Sequence, residues 1–339
     1  MKITKGAGFS CPLNCFKMID YLEATKQLQG KDKPFLGHLH QEAAYQSGWN
    51  KYLLNGCKCL EILHNKPASL IRIKGSLAYF YQGHNFSFTN RQFVEAMNYI
   101  NDILHLNNFD ALVDLFEFGQ ILEVEDLPRN FILNHRERPK SGLLLYENPK
   151  DRGNFRRWEA PEIRLKMYDA GKNIQQKQDK EMQELIQAGG WNPKGNYLKF
   201  EAHYKKPEAL LNKGRGMMLA DLVNPNFNKI FQTNLYNQYS RLMPMGKIKL
   251  PDNKKNLTTQ DLLMIVLADV NLQEGNTLQE MKKLLFDRIN AISEDVLTEA
   301  DKKARKRQIS VLLGKIQTTP ESRWDLSAKL KAALDLEEA

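Results

Sequence analysis

Strict alternation of apolar and polar residues in two segments, 162–172 and 197–205, constrains the fold of this chain more than any other feature. The apolar positions are Ile163, Leu165 and Met167 in the first segment and Leu198, Phe200, Ala202 and Tyr204 in the second. The polar positions between them are Arg164, Lys166 and Tyr168, and then Lys199, Glu201 and His203. Successive side chains of a β-strand point to opposite faces, so a period of two predicts two strands, each with a buried face and an open face.

A third run, residues 70–76, follows the same pattern, with Ile71 and Ile73 facing inward. Three such strands favour a mostly antiparallel sheet with helices packed on the apolar face. The opposite face would be basic and would bind an anion, in keeping with the net charge of +9. The candidate anion ligands on that face are Arg72, Lys74, Arg164 and Lys199.

Helical patterns alternate with these strands and then replace them. Residues 89–106 carry apolar side chains at helical spacing, and beyond about residue 225 the patterns are helical alone. A chain of 339 residues is long enough for two domains. The sequence therefore predicts an α+β fold, with a catalytic or binding domain over residues 1–224 and a helical carboxyl-terminal domain over residues 225–339.

The sequence carries no sign of a membrane or secretory destination. It contains no apolar run of about 18 residues, which a membrane-spanning helix would need. The amino-terminal residues lack the apolar segment of a secretory signal. We therefore expect a cytoplasmic protein without a membrane partner.

Cysteines and histidines offer weak metal-site candidates. The four cysteines form two close pairs, Cys11 with Cys15 and Cys57 with Cys59, at spacings that differ from the common two-residue gap of zinc sites. Reduced thiols are favoured for them. His38 and His40 could bind a divalent ion from one strand face, although a solvated strand face is the favoured interpretation.

Glu117 is a stronger candidate, because its predicted strand, residues 109–125, is largely apolar. It would share a face with Val113, Leu115 and Ile121. A carboxylate in such surroundings is costly unless it is paired or binds a cation. Both a salt bridge and a metal ion satisfy that requirement.

The stretch from 134 to 158 is rich in cations and turn residues. It could hold phosphates and stack on nucleobases, or it could be a solvated loop. Its candidate nucleic-acid contacts are Arg156, Arg157 and Trp158.

Four motifs in order give the chain a family resemblance. They lie at residues 73–85, 115–120, 163–172 and 198–205, and the most specific pieces are Gln82-Gly-His-Asn85 and Leu198-Lys-Phe-Glu-Ala202. Over residues 60–222 the chain resembles the gene II/gene X replication initiators of filamentous phages and related bacterial plasmids.

The resemblance implies a rolling-circle initiator that nicks one DNA strand at an origin, forms a 5′-phosphotyrosine link and later rejoins the strand. Carried over by position, the nucleophile falls on Tyr168, the acidic metal ligands on Glu117 and Glu201, and a polar turn that could add a metal ligand on His84. The implied partners are origin DNA, single-stranded or in a hairpin at the nick, and the host helicase and polymerase.

The chemistry of these residue types suits that reaction. Oxygen ligands favour Mg²⁺ or Mn²⁺, which would stabilise charge on a phosphate under attack. A phenol has a reference pKa of about 10 and needs a nearby cation to react at neutral pH. Lys166, on the same strand face as Tyr168, and Lys172, in the following turn, could lower the phenol pKa or hold the phosphate.

Two alternatives remain open from the sequence. One is a DNA-binding replication or copy-control protein without catalysis, and the other is an RNA-binding protein that uses the same basic face. A covalent protein–DNA adduct would separate the nickase from both.

Overall fold

A computed structural model describes residues 18–54, 57–86, 88–138, 140–211, 215–244, 247–249, 257–273, 278–319 and 324–336. Cys11 and Cys15 lie outside the described residues. The predicted α+β class is confirmed: a ten-stranded sheet, antiparallel at every pairing, is combined with helices that dominate the carboxyl-terminal part. No described helix is long and apolar enough to cross a membrane.

The sheet has the strand order β2-β3-β4-β5-β1-β6-β11-β10-β9-β8. Its strands are β1 (Met18–Gln27), β2 (His40–Ala44), β3 (Trp49–Leu53), β4 (Leu60–Asn65), β5 (Leu70–Gly75), β6 (Leu112–Val124), β8 (Leu144–Tyr146), β9 (Phe155–Glu159), β10 (Ile163–Asp169) and β11 (Asn196–Tyr204). Two further pairs are β7 (His135–Glu137) with β12 (Leu242–Pro244), and β13 (Lys247–Lys249) with β14 (Gln317–Thr319).

The helices are α1 (Leu77–Gln82), α2 (Asn90–Leu104), α3 (Pro128–Leu133), α4 (Ala170–Lys177), α5 (Lys180–Ala188), α6 (Leu219–Val223), α7 (Pro225–Tyr239), α8 (Thr259–Gln273), α9 (Leu278–Asn290), α10 (Glu299–Gly314) and α11 (Ser327–Ala333). The predicted helix over 89–106 is present as α2, and Thr89 and Gln92 close a capping box at its start.

The apolar face of the sheet is the one that the alternation predicts. Leu165 and Met167 of β10 pair with Ala202 and Phe200 of β11, and all four are fully buried. Aromatic side chains of β6 continue this layer, and Phe231 of α7 packs edge-on against Phe116. Helix α7 therefore covers the centre of the sheet on this side.

Two irregularities break the period of two in the central strands. Between Ile19 and Leu22 of β1, the two intervening residues stand opposite a single residue of β6. A second shift, between Glu23 and Ala24, places Val113 in the core. Val113 therefore does not share a face with Glu117, as the sequence pattern indicated. Such bulges re-aim side chains, and the first one turns Asp20 towards the polar face.

Two strand-to-helix turns place polar residues at one end of the sheet. After β5, Ser76 accepts a hydrogen bond from the backbone of Tyr79 and caps α1. After β10, Asp169 accepts one from the backbone of Lys172 at 2.8 Å and caps α4. Short polar side chains at these positions satisfy the open N–H groups of the first helical turn, so each helix begins where its strand ends.

The chain forms two compact units that differ from the predicted boundary at 224/225. The first comprises Met1–Pro128, Gly142–Arg241 and Leu326–Ala339, and the second comprises Arg129–Ser141 and Leu242–Asp325. Helix α7 belongs to the first unit because it packs on the sheet. Helix α11 returns to the same unit, where Lys329 pairs with Glu125 at 2.6 Å.

The second unit has its own small core. Ala268 of α8, Met281 of α9 and Leu313 of α10 are buried together, with Met264 and Leu285 packed around them. This part of the chain is mainly helical, as the sequence indicated.

Gly75 at the end of β5 provides a test of the turn that leads into α1. Its φ of 138° is unfavourable for other residues, and an added Cβ would lie 2.1 Å from the carbonyl oxygen of Cys59. We expect Gly75→Ala to lower the free energy of unfolding by at least about 2 kcal/mol in urea titrations followed by circular dichroism.

Gly30→Ala is the matched control, since nothing lies within 4 Å of the added Cβ. It should change stability by less than about 0.5 kcal/mol. Equal unfolding midpoints for the two variants would contradict this explanation of the turn.

Candidate functional site

Three carboxylates from three adjacent strands meet on the polar face of the sheet. They are Asp20 of β1, Glu117 of β6 and Glu201 of β11, and one oxygen from each lies within 4.8 Å of the others. Asp20 and Glu201 are buried, with 9% and 2% of their surfaces exposed. Like charges this close require cations between them.

Two lysines supply those cations. Lys199 of β11 is fully buried, and its ammonium lies 2.5 Å from Asp20 and 2.8 Å from Glu201. Lys166 of β10 lies 2.6 Å from Glu117 and 3.0 Å from Glu201. Each lysine therefore bridges two carboxylates, and the cluster is an alternating network of charges.

The network shifts the pKa of Lys199 and of Glu201 in the directions expected for tight ion pairing. Burial alone would lower the pKa of Lys199, but Asp20 and Glu201 hold it well above its ordinary value. Burial alone would raise the pKa of Glu201, but Lys199 and Lys166 hold it below its ordinary value. Lys199 and Glu201 are therefore both charged at neutral pH.

Gly119 leaves room for Glu201 on the neighbouring strand. Lys199 and Asp20 lie on strands on either side of β6, and Gly119 pairs with Glu201 between them. A Cβ at position 119 would lie 2.6 Å from the Cβ of Glu201. The missing side chain therefore leaves the space that Glu201 occupies, where it pairs with both lysines.

Asp20 is also fixed from the side of α1. Asn85 donates a hydrogen bond to its Oδ2 at 2.7 Å, and the Ser76 hydroxyl donates to its Oδ1 at 3.1 Å. Glu117 is held in turn by Nδ1 of His203 at 2.7 Å. The carboxylates are thus oriented by donors outside the lysine pairs.

Tyr168 of β10 borders this network. Its hydroxyl donates to Oε2 of Glu201 at 3.3 Å, and the Lys199 ammonium lies 5.6 Å from the centre of its ring. Burial, reinforced by the Glu201 carboxylate, raises the pKa of the Tyr168 phenol well above its ordinary value. Tyr168 is therefore a protonated hydrogen-bond donor at neutral pH.

The cluster opens into a cavity of about 590 Å³. The cavity is lined by Tyr168, by Lys166 and the three carboxylates of the network, and by Lys172, whose ammonium donates to Asn154 at 2.9 Å. The structure thus brings together the three residues predicted for catalysis, Tyr168, Lys166 and Lys172, and the two predicted acidic ligands.

The third ligand differs from the prediction. Among the described residues the group able to hold a metal ion contains Asp20, and His84 is not part of it. Nδ1 of His84 instead accepts a hydrogen bond from the backbone N–H of Phe86 at 3.2 Å. The sequence signal for Asp20 was the odd spacing of Ile19 and Leu22, which marks a bulge.

His38 and His40 take no part in this group either. Strand β2, which His40 begins, is an edge of the sheet and is separated from β1 by three strands. The ring of His38 stacks on Phe35 with 4.8 Å between centroids. Cys57 and Cys59 are joined by a disulfide, so the expectation of reduced thiols was wrong for this pair.

Three of the predicted DNA contacts are buried. Lys199 lies inside the charge network, because the polar face of β11 is covered rather than open. Arg156 and Trp158 stand opposite Met167 and Leu165 in β10, on the core side of the sheet, and both are fully buried. These residues cannot form part of an exposed DNA surface in this conformation.

The remaining predicted contacts stay at least partly accessible, but each has an acidic neighbour. Lys74 pairs with Glu23 at 3.0 Å, and Arg164 pairs with Glu159 at 2.8 Å. Arg72 donates to Thr25 and lies 3.7 Å from Asp114. Arg157 also pairs with Glu159 and lies over the ring of Tyr146 at 3.9 Å. The polar face therefore carries mixed charge instead of being uniformly basic.

The donor set fits a hard divalent cation. Three carboxylates offer the oxygen ligands that Mg²⁺ and Mn²⁺ prefer, and their outer donors hold them in place. Lys166 and Lys199 compete for the same oxygens, so a bound ion would have to displace at least part of the present ion pairing.

No protein-family model matches this chain, and no curated protein matches it. The fold and the site define an α+β protein with a buried carboxylate–lysine cluster beside a tyrosine. Three of the four motifs behind the family resemblance contribute Asn85, Glu117 and Glu201 to this cluster, and the fourth contributes Tyr168.

Lys199→Met tests whether the buried ammonium holds the cluster together. Removing it leaves Asp20 and Glu201, both largely buried, without the cation between them, so we expect the free energy of unfolding to fall by about 3–5 kcal/mol at neutral pH. Urea unfolding followed by tryptophan fluorescence measures the change.

Lys26→Met is the matched control, since Lys26 is also buried but its partner Asp110 is 56% exposed. The carboxylate left behind can be solvated, and the loss should stay below about 2 kcal/mol. Equal losses in the two variants would show that the network around Lys199 has no special role.

Proposed function

We propose that this chain is a metal-assisted DNA nickase and strand transferase that initiates rolling-circle replication at an origin. Tyr168 is the nucleophile, and Asp20, Glu117 and Glu201 are the metal ligands. The protein works in the cytoplasm on origin DNA, single-stranded or in a hairpin at the nick, together with the host helicase and polymerase.

The observation that carries this proposal is the meeting of a tyrosine hydroxyl with three carboxylates in one open cavity. These four residues come from strands β1, β6, β10 and β11, and Tyr168 touches Glu201 directly. Perturbed, buried ionisable groups beside a cavity are characteristic of active sites. The combination of phenol and oxygen ligands favours phosphoryl transfer among the reactions such a site could perform.

In the nicking step the Tyr168 oxygen attacks the phosphorus of the scissile phosphodiester. A bond forms between that oxygen and phosphorus, the bond to the 3′ oxygen breaks, and the 3′ oxygen takes a proton from water and leaves as a free hydroxyl. Rejoining is the reverse reaction, with the 3′ hydroxyl attacking the phosphotyrosine. Glu201 accepts the phenol hydrogen bond and so orients the attacking oxygen, and the phenol proton passes to water in the cavity.

Tyr168 must lose its proton in a site that holds its pKa high. The groups that can offset this are cations at the phenol and phosphate oxygens. Lys199 already lies beside the ring, and Lys172 extends into the same cavity, where it can hold a phosphate oxygen. A bound Mg²⁺ or Mn²⁺ would supply Lewis-acid stabilisation of the developing charge.

The nucleophile is tested by incubating the wild type and Tyr168→Phe with supercoiled DNA that carries the native origin, in the presence of Mg²⁺ or Mn²⁺. We expect the wild type to nick the DNA and to form an adduct that survives denaturation. The variant should lose both by at least about 10³-fold, because phenylalanine has no attacking oxygen.

Tyr79→Phe is the control, since Tyr79 lines the same cavity and burial also raises its pKa. It should retain nicking. An adduct that persists in Tyr168→Phe would assign the nucleophile to another tyrosine, and no nicking by any of these proteins would remove the catalytic proposal.

Metal binding can be measured without DNA. Mn²⁺ should raise the unfolding temperature of Tyr168→Phe, because an ion held only by the folded state stabilises it by about 2.7 kcal/mol at a concentration 100 times its Kd. Asp20→Asn and Glu117→Gln should abolish the shift.

Asp114→Asn serves as the control for the metal experiment. Asp114 is a partly exposed aspartate of β6 that accepts a hydrogen bond from Thr25 and is not part of the acidic group. In Asp114→Asn, Mn²⁺ should still raise the unfolding temperature. An equal shift in Asp20→Asn would exclude these carboxylates as the ligands.

A DNA-binding replication or copy-control protein without catalysis is the second candidate. The ion pairing favours it, because each of the three carboxylates already has a lysine partner. This candidate predicts binding of origin DNA without a covalent adduct, and no change of the unfolding temperature in Mn²⁺.

A further inference from the structure

One part of the cavity takes no part in the proposed chemistry. Its lining comes from helix α4, from the turn before β9 and from the first residue of β9, and includes Asp151, Asn154, Phe155, Asn173, Gln176 and Lys177. All of these residues belong to the first unit of the chain. A cavity of about 590 Å³ exceeds what one phosphate would fill, and falls in the range of about 300–1,000 Å³ typical of ligand sites.

Helix α4 presents one polar face to this space. Ala170, Gly171 and Ile174 are buried against the protein. Lys172, Asn173, Gln176 and Lys177 follow the spacing i, i+1, i+4 and i+5, so they lie together on the opposite side. The helix therefore carries two amides flanked by two ammonium groups into the cavity.

The aromatic ring in this part of the cavity belongs to Phe155. Phe155 stands opposite Tyr168 in the pairing of β9 with β10, so both side chains are on the polar face of the sheet. The ring is half-buried and lines the cavity. Its open part offers a flat apolar surface next to the proposed nucleophile.

The amides around the ring have hydrogen-bonding capacity to spare. Asn154 accepts from Lys172 through Oδ1, which leaves its NH₂ group to donate. Within the described part of the chain, the side chains of Asn173 and Gln176 make no hydrogen bond. A side-chain amide presents a donor and an acceptor together, as the edge of a nucleobase does.

We infer that this part of the cavity is a nucleotide-binding site for one unstacked base of single-stranded DNA next to the scissile phosphate. The base stacks on Phe155, its edge meets the amides of Asn173 and Gln176, and the strand's phosphate lies at Lys177. This inference rests on the proposed function and adds a base-reading element to it. Stacking gives affinity for any base, whereas the amides discriminate among bases.

The test measures binding in the Tyr168→Phe background, where no covalent link can form. The probes are fluorescein-labelled dA, dC, dG and dT oligonucleotides of twelve residues, followed by anisotropy in Mg²⁺. Phe155→Leu keeps an apolar side chain but removes the stacking surface, and it should weaken binding of all four probes about tenfold. Asn173→Leu and Gln176→Leu should change the ratios between the dissociation constants of the four probes by about fivefold or more.

Salt dependence separates base contacts from phosphate contacts. Phe155→Leu should leave the slope of log Kd against log salt unchanged, and Lys177→Met should reduce it by about 0.7, the value for one phosphate contact on a single strand. Tyr45→Leu, at an aromatic residue that is 49% exposed and does not line the cavity, is the control and should keep the parent affinity within about twofold.

Unchanged affinity in Phe155→Leu for all four probes would overturn the inference, and so would a ranking that neither amide variant alters. Both results are independent of the nicking assay. Stacking-dependent binding by a protein that never nicks its origin would retain the nucleotide site and remove the proposed nickase, so the two failures are distinguishable.

Discussion

The buried ammonium of Lys199 is the interaction on which the polar face of the sheet depends. It reaches from β11 past β6 to Asp20 of β1, and it also pairs with Glu201 on its own strand. Without it, two largely buried carboxylates would face each other with no cation between them. Because the three strands are also bound through their backbones, this contact fixes the relative positions of side chains that are up to 181 positions apart in the chain.

A network of this kind is a poor way to stabilise a fold. Desolvating each ion costs several kcal/mol, and well-packed apolar residues of the same volume often serve stability as well or better. Its value lies in geometry, since the carboxylates are held in place before any ligand arrives. Asn85, Ser76 and His203 add donors to the same oxygens. The desolvation cost of these charged groups supports an assignment of the cluster to function and not to folding alone.

The period-two pattern was sufficient to predict the strands β10 and β11, their apolar face and the shared polar face of Lys166, Tyr168 and Glu201. It could not predict Asp20, because a bulge shifts the phase of β1. It could not show that Lys199 is buried either, since alternation distinguishes two faces but does not reveal what covers each one. Arg156 was misplaced for a related reason: basic residues in a turn-rich stretch suggested a loop, and the structure pairs them as a strand with one side in the core.

The raised pKa of Tyr168 links the cluster to the proposed nucleotide site. A protonated phenol is unreactive, so a free protein would not attack phosphates that diffuse past it. A bound strand changes this only if it holds a phosphodiester in line with the phenol oxygen, where cations act on both groups at once. Base contacts at Phe155 and α4 would supply that alignment, and well-oriented reactants gain up to about 7–11 kcal/mol over free encounter. In this proposal, selectivity for a strand and activation of the tyrosine arise from the same binding event.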